Sequence, residues 1–481
     1  MSGDYINHEV LDINPDKVEN SKKDIMEQSS TTFTYIDLFA GIGGFRIPLD
    51  ELGGNCLGYS EIDKNAISTY EFNFGSSSDS HGEFLGDITK LNHLGYESID
   101  LIVGGVPCQA WSVAGKMRGF DDPRGKLWKD TIRVVELNKP KAFIFENVKG
   151  LMDPRNSKSL DLIVKSFRKL GYNVPKPQLL NSFDFGVPQN RDRIFIVGIR
   201  NDIRVKNSFV YPRPLKKKSK LSDILESINT NSVVKKKIDV YELHKGKIPF
   251  SRNRFQKVDE LNDFFILGDT RNGHSTIHSW DIYKTTKKER EICMTILKNR
   301  RKKIYGQKDG NPMSYKDLLE LMPGIQVEEL ERLIQKKILK KVGDKFDFLN
   351  SKNSSGIDGV YRVYLPNSEI FSTLTATGTK DKVALENIDG NTVEEFKLNF
   401  IKNILKKKKF RSITSCEAGR LQGFPKWFKA HSNKDVAKKQ FGNAVSVPVI
   451  YNLAISLINT GVFSYDTRRE KSNNREVQRV V

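Results

Sequence analysis

Thr34-Tyr35-Ile36-Asp37-Leu38-Phe39-Ala40-Gly41-Ile42-Gly43-Gly44-Phe45 is the stretch that decides the fold. Its first six residues are largely β-branched, aromatic or apolar, as a buried strand requires. The glycines after them open a tight loop ahead of a helical pattern. Glycines at such a place let the backbone approach a ligand closely and leave helix-terminal N–H groups to face it. The same alternation runs on to about residue 200. Strands are predicted at Thr34–Phe39, Cys56–Ser60, Ile99–Val103, Lys141–Phe145 and Arg193–Ile199. Helices are predicted at Ile42–Leu52, Lys64–Phe72, Lys126–Leu137 and Ser159–Leu170. This order predicts an α/β fold, a parallel sheet wrapped by helices.

The 481 residues leave room for two or three domains. Lys and Arg number 79 against 59 Asp and Glu, a net charge of +20. An excess of that size favours a polyanionic partner, because each phosphate contact releases condensed counterions. The four cysteines (Cys56, Cys108, Cys293 and Cys416) are scattered, with no pair at metal-ligand spacing. That argues against a disulfide framework and predicts no bound metal. No signal peptide is legible and no apolar run approaches membrane-spanning length, so the expected location is cytoplasmic, away from any membrane.

Residues 1–30 read as a polar mobile leader, 31–200 as the first part of the α/β domain, and 201–370 as a lysine-rich insert. Regular pattern returns over 371–465, and 466–481 read as a charged tail. Inside the insert, helices predicted at Ser314–Met322 and Val327–Lys336 flank the turn Pro323-Gly324, and a hairpin turns at Gly343-Asp344. That is the order of a winged-helix module near 314–349.

The chemistry-bearing residues gather after strands. Val106-Pro107-Cys108-Gln109-Ala110-Trp111 follows the strand Ile99–Val103, at the sheet edge where ligands bind in open α/β folds. Pro107 fixes its own φ and restricts Val106, so Cys108 is presented from a stiffened loop and is a candidate nucleophile. Glu61 ends the second strand, where doubly wound nucleotide folds place an acid on ribose hydroxyls. Gly86-Asp87-Ile88 offers a third polar point on the same ligand, which is a dinucleotide or another adenosine compound. Glu146-Asn147-Val148 ends the strand after the cysteine's, and Arg191 and Arg193 share a face if extended.

Taken together, Phe39–Phe45, Pro107-Cys108-Gln109, Glu146-Asn147-Val148, Gln189–Arg193, Cys416–Pro425 and Gln440–Val445 stand in the order seen in the DNA cytosine-5 methyltransferases. The chain resembles the bacterial members of that family along 33–200 and 371–460. The resemblance implies a doubly wound, mostly parallel, Rossmann-like methyltransferase sheet with a smaller mixed target-recognition domain over 201–370. It implies S-adenosylmethionine as cofactor, held by Phe39, Gly41, Ile42, Gly43, Gly44, Glu61, Asp87 and Ile88, with Pro107 and Leu127 packing on it and Asn443 closing the pocket.

It further implies that Cys108 attacks C6 of a flipped-out cytosine while Glu146 holds the N3/N4 edge, with Arg191 and Arg193 shaping the site. Gln109–Arg124 resembles the family's mobile catalytic loop, with Gln109, Ser112, Arg118 and Arg124 meeting DNA. The implied partners are double-stranded DNA and a cognate restriction endonuclease, for a monomeric enzyme. Val106, Trp111 and Ala444 depart from the family's usual residues and leave the mechanism intact. The rival readings are a tRNA cytosine-5 methyltransferase and a non-catalytic DNA-binding regulator with the same fold.

Overall fold

The computed structural model describes residues 32–76, 82–107, 126–216, 219–226, 279–308, 310–349, 363–368, 370–376, 381–388, 390 and 393–464. These fall into two compact units. One takes the described residues within 1–218, 373–378 and 418–481; the other takes those within 219–372 and 379–417. The described residues within 379–417, read from sequence as part of the returning segment, fall in the second unit.

The first unit opens with β1 (Phe33–Leu38), α1 (Arg46–Glu51), β2 (Gly54–Ser60), α2 (Lys64–Phe74), β3 (Glu83–Gly86), β4 (Leu101–Gly105) and α3 (Leu127–Asn138). It continues with β5 (Ala142–Val148), α4 (Ser157–Lys169), β6 (Tyr172–Asn173), β7 (Gln178–Asn181) and β8 (Asp192–Arg200). The strands form one sheet in the order β3-β2-β1-β4-β5-β8-β6, with β7 also paired to β8. From β3 to β5 all pairs are parallel.

Alternation along β1 explains the wrapping on both faces. Phe33 and Tyr35 join a core cluster with Leu49 of α1, whereas Ile36 and Leu38 join another with Trp128 and Val134 of α3 and Phe167 of α4. The strand predicted at Arg193–Ile199 forms as β8 but runs antiparallel to β5, β6 and β7. Periodicity fixes which face a residue takes, not the direction of the strand. The helix predicted from Ile42 starts only at Arg46, because Gly41 at φ +57° and Gly43 at φ +86° hold the intervening turn out of helical geometry.

The second unit contains α5 (Lys287–Asn299), β9 (Met313–Ser314), α6 (Tyr315–Leu321), α7 (Val327–Gln335), β10 (Leu339–Val342) and β11 (Lys345–Phe348). The three strands make an antiparallel sheet in the order β10-β11-β9, packed on the helices through Met313, Leu330, Leu333, Phe346 and Phe348. A second small sheet joins β12 (Val363–Tyr364), β13 (Lys382–Ala384) and β14 (Phe410–Arg411), against α8 (Val393–Asn399). The chain then leaves this unit within α9 (Ser415–Leu421).

Back in the first unit are α10 (Lys434–Asn443) and α11 (Val447–Ile458). By length and composition alone the span Lys434–Ile458 would pass as a membrane-crossing helix, a test that buried core helices also pass. It is nevertheless two helices broken at 444–446, and Ile450, Leu453 and Leu457 are buried in the core beneath β1.

A buried ion pair closes the end of the second unit. Glu417 receives Arg411 Nη2 at 2.6 Å and Nη1 at 2.7 Å, and the backbone N–H groups of Glu226 and Thr414, both at 2.7 Å. Burial pushes its carboxyl up, but these donors outweigh burial and hold it below the usual range. Glu417→Gln removes the nearest counter-charge of half-buried Arg411 and is expected to destabilise this unit by about 1–3 kcal/mol in urea unfolding. Because the folded value is depressed, the pair's contribution is full above the unfolded value of about 4.3. It is lost as pH falls through the folded value, so the gap between wild type and variant closes in acid.

Candidate active site

The carboxyl ends of β1, β2 and β3 are stitched together by hydrogen bonds. Ala40 N–H donates to Ser60 O at 2.9 Å, and Ser60 Oγ donates to Gly86 O at 2.6 Å. Glu61 follows β2, and its carboxylate gathers three backbone donors: Gly41 at 2.9 Å on Oε2, Ile62 at 2.7 Å and Asp63 at 2.9 Å on Oε1. Asp87 caps the turn after β3 through Thr89 N–H at 2.9 Å, and Ile88 is buried. Phe39, Gly41, Glu61 and Asp87 therefore line one edge of the sheet in strand order.

Two features mark this edge as built for something other than packing. Phe39 sits at φ +56°, a left-handed conformation that costs a side-chain-bearing residue about 1–3 kcal/mol. Asp37 is fully buried, and neither carboxylate oxygen has a hydrogen-bond partner among the described residues. Burial pushes its carboxyl well above the usual range, against the pull of Arg46. A cation brought to this carboxylate would gain what the protein itself does not supply.

The glycine loop is also close-packed. A Cβ on Gly43 would stand 2.3 Å from the Phe74 ring, and one on Gly44 would stand 2.8 Å from Val445 Cγ2. Val445 also approaches Gly105 at the end of β4, 3.6 Å from where a Cβ would lie. It thus sits between the glycine loop and the cysteine's strand. Asn443, two residues before it, is exposed at the end of α10. Leu127 is half-buried at the start of α3, and Pro107 is half-buried after β4.

On the other side of β4, Gly105 stands opposite Glu146 in the parallel register. Val106 N–H donates to Glu146 O at 3.2 Å, and Asn147 Nδ2 donates back to Val106 O at 3.1 Å. The segment that runs into Cys108 is thereby fixed to the end of β5. Glu146 is buried and pairs with Arg193 Nε at 2.7 Å, across the β5–β8 ladder where Val148 faces Arg193. Its second oxygen, Oε2, lies towards Gly105. Cys108, Gln109, Ser112, Arg118 and Arg124 fall outside the described residues. Of the other cysteines, burial pushes Cys56 and Cys293 up to about 12, too high for a nucleophile near neutral pH.

The structure separates the two arginines that the sequence reading paired. Arg193 faces Glu146. Arg191, just ahead of β8, is 2% exposed and sends its guanidinium to backbone carbonyls instead: Leu374 at 2.9 Å, Ala444 at 2.7 Å and Gly442 at 3.2–3.3 Å. Gln189 does similar work, accepting from Leu374 N–H at 3.1 Å and donating to Leu421 O at 2.8 Å. Arg191 is thus a positioning residue that binds the returning segments to the sheet. The only sequence signal for it is its place in the Gln189–Arg193 motif.

The fold and this edge define an α/β protein of the doubly wound type with a glycine loop and acids at the carboxyl ends of its strands, beside a Glu–Arg pair. A family model described as C-5 cytosine-specific DNA methylase matches residues 33–459. The Type II methyltransferase M.HgiBI of Herpetosiphon aurantiacus is 49% identical over 427 residues, 88% of this chain and 96% of that protein. Its M.HgiCII is 49% identical over 433 residues, 90% and 98% of the two chains. M.BanI of Aneurinibacillus aneurinilyticus is 34% identical over 453 residues, 89% and 96%. The chain belongs to the C-5 cytosine-specific DNA methylases, and its activity is methyl transfer to carbon 5 of cytosine in DNA.

Arg191→Lys keeps the charge but cannot span three carbonyls. It is expected to lower unfolding stability by about 2 kcal/mol, read from the urea midpoint at constant slope.

Proposed function

We propose that the protein modifies a specific double-stranded DNA sequence as the methylating half of a restriction–modification system, with S-adenosylmethionine as donor. The observation that carries this reading is the fastening of Val106, two residues before Cys108, to the strand end that bears Glu146. The relatives' designation as Type II methyltransferases supports the restriction–modification role. A bacterial DNA-modifying enzyme of this kind would act in the cytoplasm.

The residues at the sheet edge suit the donor. Phe39 and the backbone of Gly41, Ile42, Gly43 and Gly44 would take its amino-acid end, with Asp37 offering its unpaired carboxylate to the ammonium group. Glu61 retains lone pairs for ribose hydroxyls, Asp87 and Ile88 would meet the adenine, Pro107 and Leu127 would pack on the ligand, and Asn443 would close over it. When bound, the donor supplies an electrophilic methyl group on a sulfonium.

The remaining chemistry belongs to the chain. A cytosine stacked in a duplex hides C6 from a thiol, so the base must swing out, at a cost of a few kcal/mol. The Cys108 thiolate forms a bond to C6, and the C5–C6 π electrons move to C5 as N3 takes a proton shared with Glu146. Arg193 fixes one oxygen of Glu146 and leaves Oε2 for the base edge. After C5 is methylated, a base removes the C5 proton, the electrons left on C5 re-form the C5–C6 double bond and expel the sulfur from C6, and N3 returns its proton to Glu146. Gln109, Ser112, Arg118 and Arg124 would hold the opened strand.

Duplex DNA carrying 5-fluorocytosine at the modified position is expected to trap the wild-type chain covalently in the presence of the donor, because fluorine cannot leave as the proton does. Cys108→Ser should give no adduct and no methyl transfer; an adduct that survives this substitution contradicts the mechanism. Asp37→Asn is expected to weaken donor binding tenfold or more by calorimetry, with unchanged thermal stability. An unaltered Kd removes Asp37 from the site.

A further inference from the structure

The loop between α5 and β9 is basic and is held by a buried side chain at each end. Residues 300–309 read Arg-Arg-Lys-Lys-Ile-Tyr-Gly-Gln-Lys-Asp, five cations against one acid. Such a segment repels itself, and it buries little of its own: Ile304 is 79% exposed. Order comes from two buried side chains at its ends. Asn311 donates through Nδ2 to the carbonyls of Arg300 at 3.2 Å, Gly306 at 3.0 Å and Lys308 at 2.9 Å, and accepts from Lys308 N–H at 3.0 Å. Arg300 turns inward, pairs with buried Asp347 of β11 at 3.0 Å and lies 5.4 Å from the Phe348 ring centre.

The glycines confirm how tightly the loop is drawn. At Gly306 (φ +144°) a Cβ would stand 2.3 Å from Asn311 Oδ1, and at Gly310 (φ +103°) one would stand 2.5 Å from Arg300 Nη2. Arg301, Lys302 and Lys303 are exposed on this loop. A buried ion pair is a poor source of net stability, so its presence points to specification of shape.

We propose that this loop is a preorganised phosphate clamp that grips the backbone of duplex DNA and adds affinity independent of base sequence. The proposal rests on the reading of the protein as an enzyme of duplex DNA and names a surface for it. The neighbouring α7 is less suited to enter a groove, because its exposed side carries Glu328 and Glu331, and Glu331 is 3.7 Å from Lys341. Fixing the backbone that carries these cations beforehand removes part of the ordering cost from the moment of binding.

The test is equilibrium binding of the full chain to short duplexes, with and without its modified sequence, across a KCl series. The triple variant R301A/K302A/K303A should lower the slope of log K against log salt by about 2–3 and weaken binding about 10–100-fold at moderate salt, alike for both duplexes. A charge-matched control, Lys402, Lys406 and Lys407 each to Ala, should lose less than about threefold if the clamp is specific. Asn311→Ala keeps every charge and, with folding checked by circular dichroism, should still weaken binding about fivefold or more. An unchanged slope in the triple variant, an equal loss in the control, or loss on RNA but not on duplex DNA overturns the clamp while wild-type methylation of duplex DNA stands. A wild-type chain that neither binds nor methylates duplex DNA overturns both readings.

Discussion

One buried guanidinium holds the catalytic unit together across more than 250 residues of chain. Arg191 precedes β8 and reaches the carbonyls of Leu374, Gly442 and Ala444, two segments that come back after the insert. A charge taken out of water costs several kcal/mol unless it is fully solvated by dipoles, and these carbonyls provide that solvation. The result is a mutual dependence: the arginine is tolerable only with the segments in place, and the segments lie flush only around the arginine. Gly442 shows how flush, since a Cβ there would stand 2.3 Å from the Thr375 carbonyl.

What this closure secures is the edge of the sheet. Val445 is carried to a position between Gly44 and Gly105, so the returning chain borders both the cradle after β1 and the strand that leads to Cys108. Strain and an unsatisfied carboxyl collect at the same edge, in the left-handed Phe39 and in Asp37, which has no hydrogen-bond partner among the described residues. Folded proteins retain such features where the surroundings over-determine them and where a ligand relieves them. On the far side, the Glu146–Arg193 pair is set by simple cross-strand geometry, because Val148 opposite Arg193 brings residue 146 to the same face two positions on.

Much of this was legible in the sequence, and the exceptions have physical causes. The strands β1, β2, β4 and β5 and helices α2, α3 and α4 follow from runs and periods that burial on one or two faces imposes. Strand β3 went unread because Glu83 and Phe84 are exposed on a short edge and show no alternation. The direction of β8 carries no local signal at all. Glu146 was legible as an acid at a strand end, but Arg191 and Arg193 were read as one pair shaping the site because the i, i+2 rule holds only within a strand, and β8 begins at Asp192, one residue after Arg191. The surroundings of Asp37 are invisible to pattern: nothing in the strand's sequence shows that packing leaves its carboxyl without a hydrogen-bond partner among the described residues. The inward turn of Arg300 is hidden for the same reason, since in sequence it is merely the first of a basic run.

The claim on which the account turns is that segments far apart in sequence complete a single donor pocket. Amide hydrogen exchange of the full chain with and without S-adenosylmethionine tests this directly. The account predicts slowed exchange in both 38–45 and 442–446, appearing together as donor is added. Protection confined to 38–45, with 442–446 unchanged at saturating donor, would contradict it.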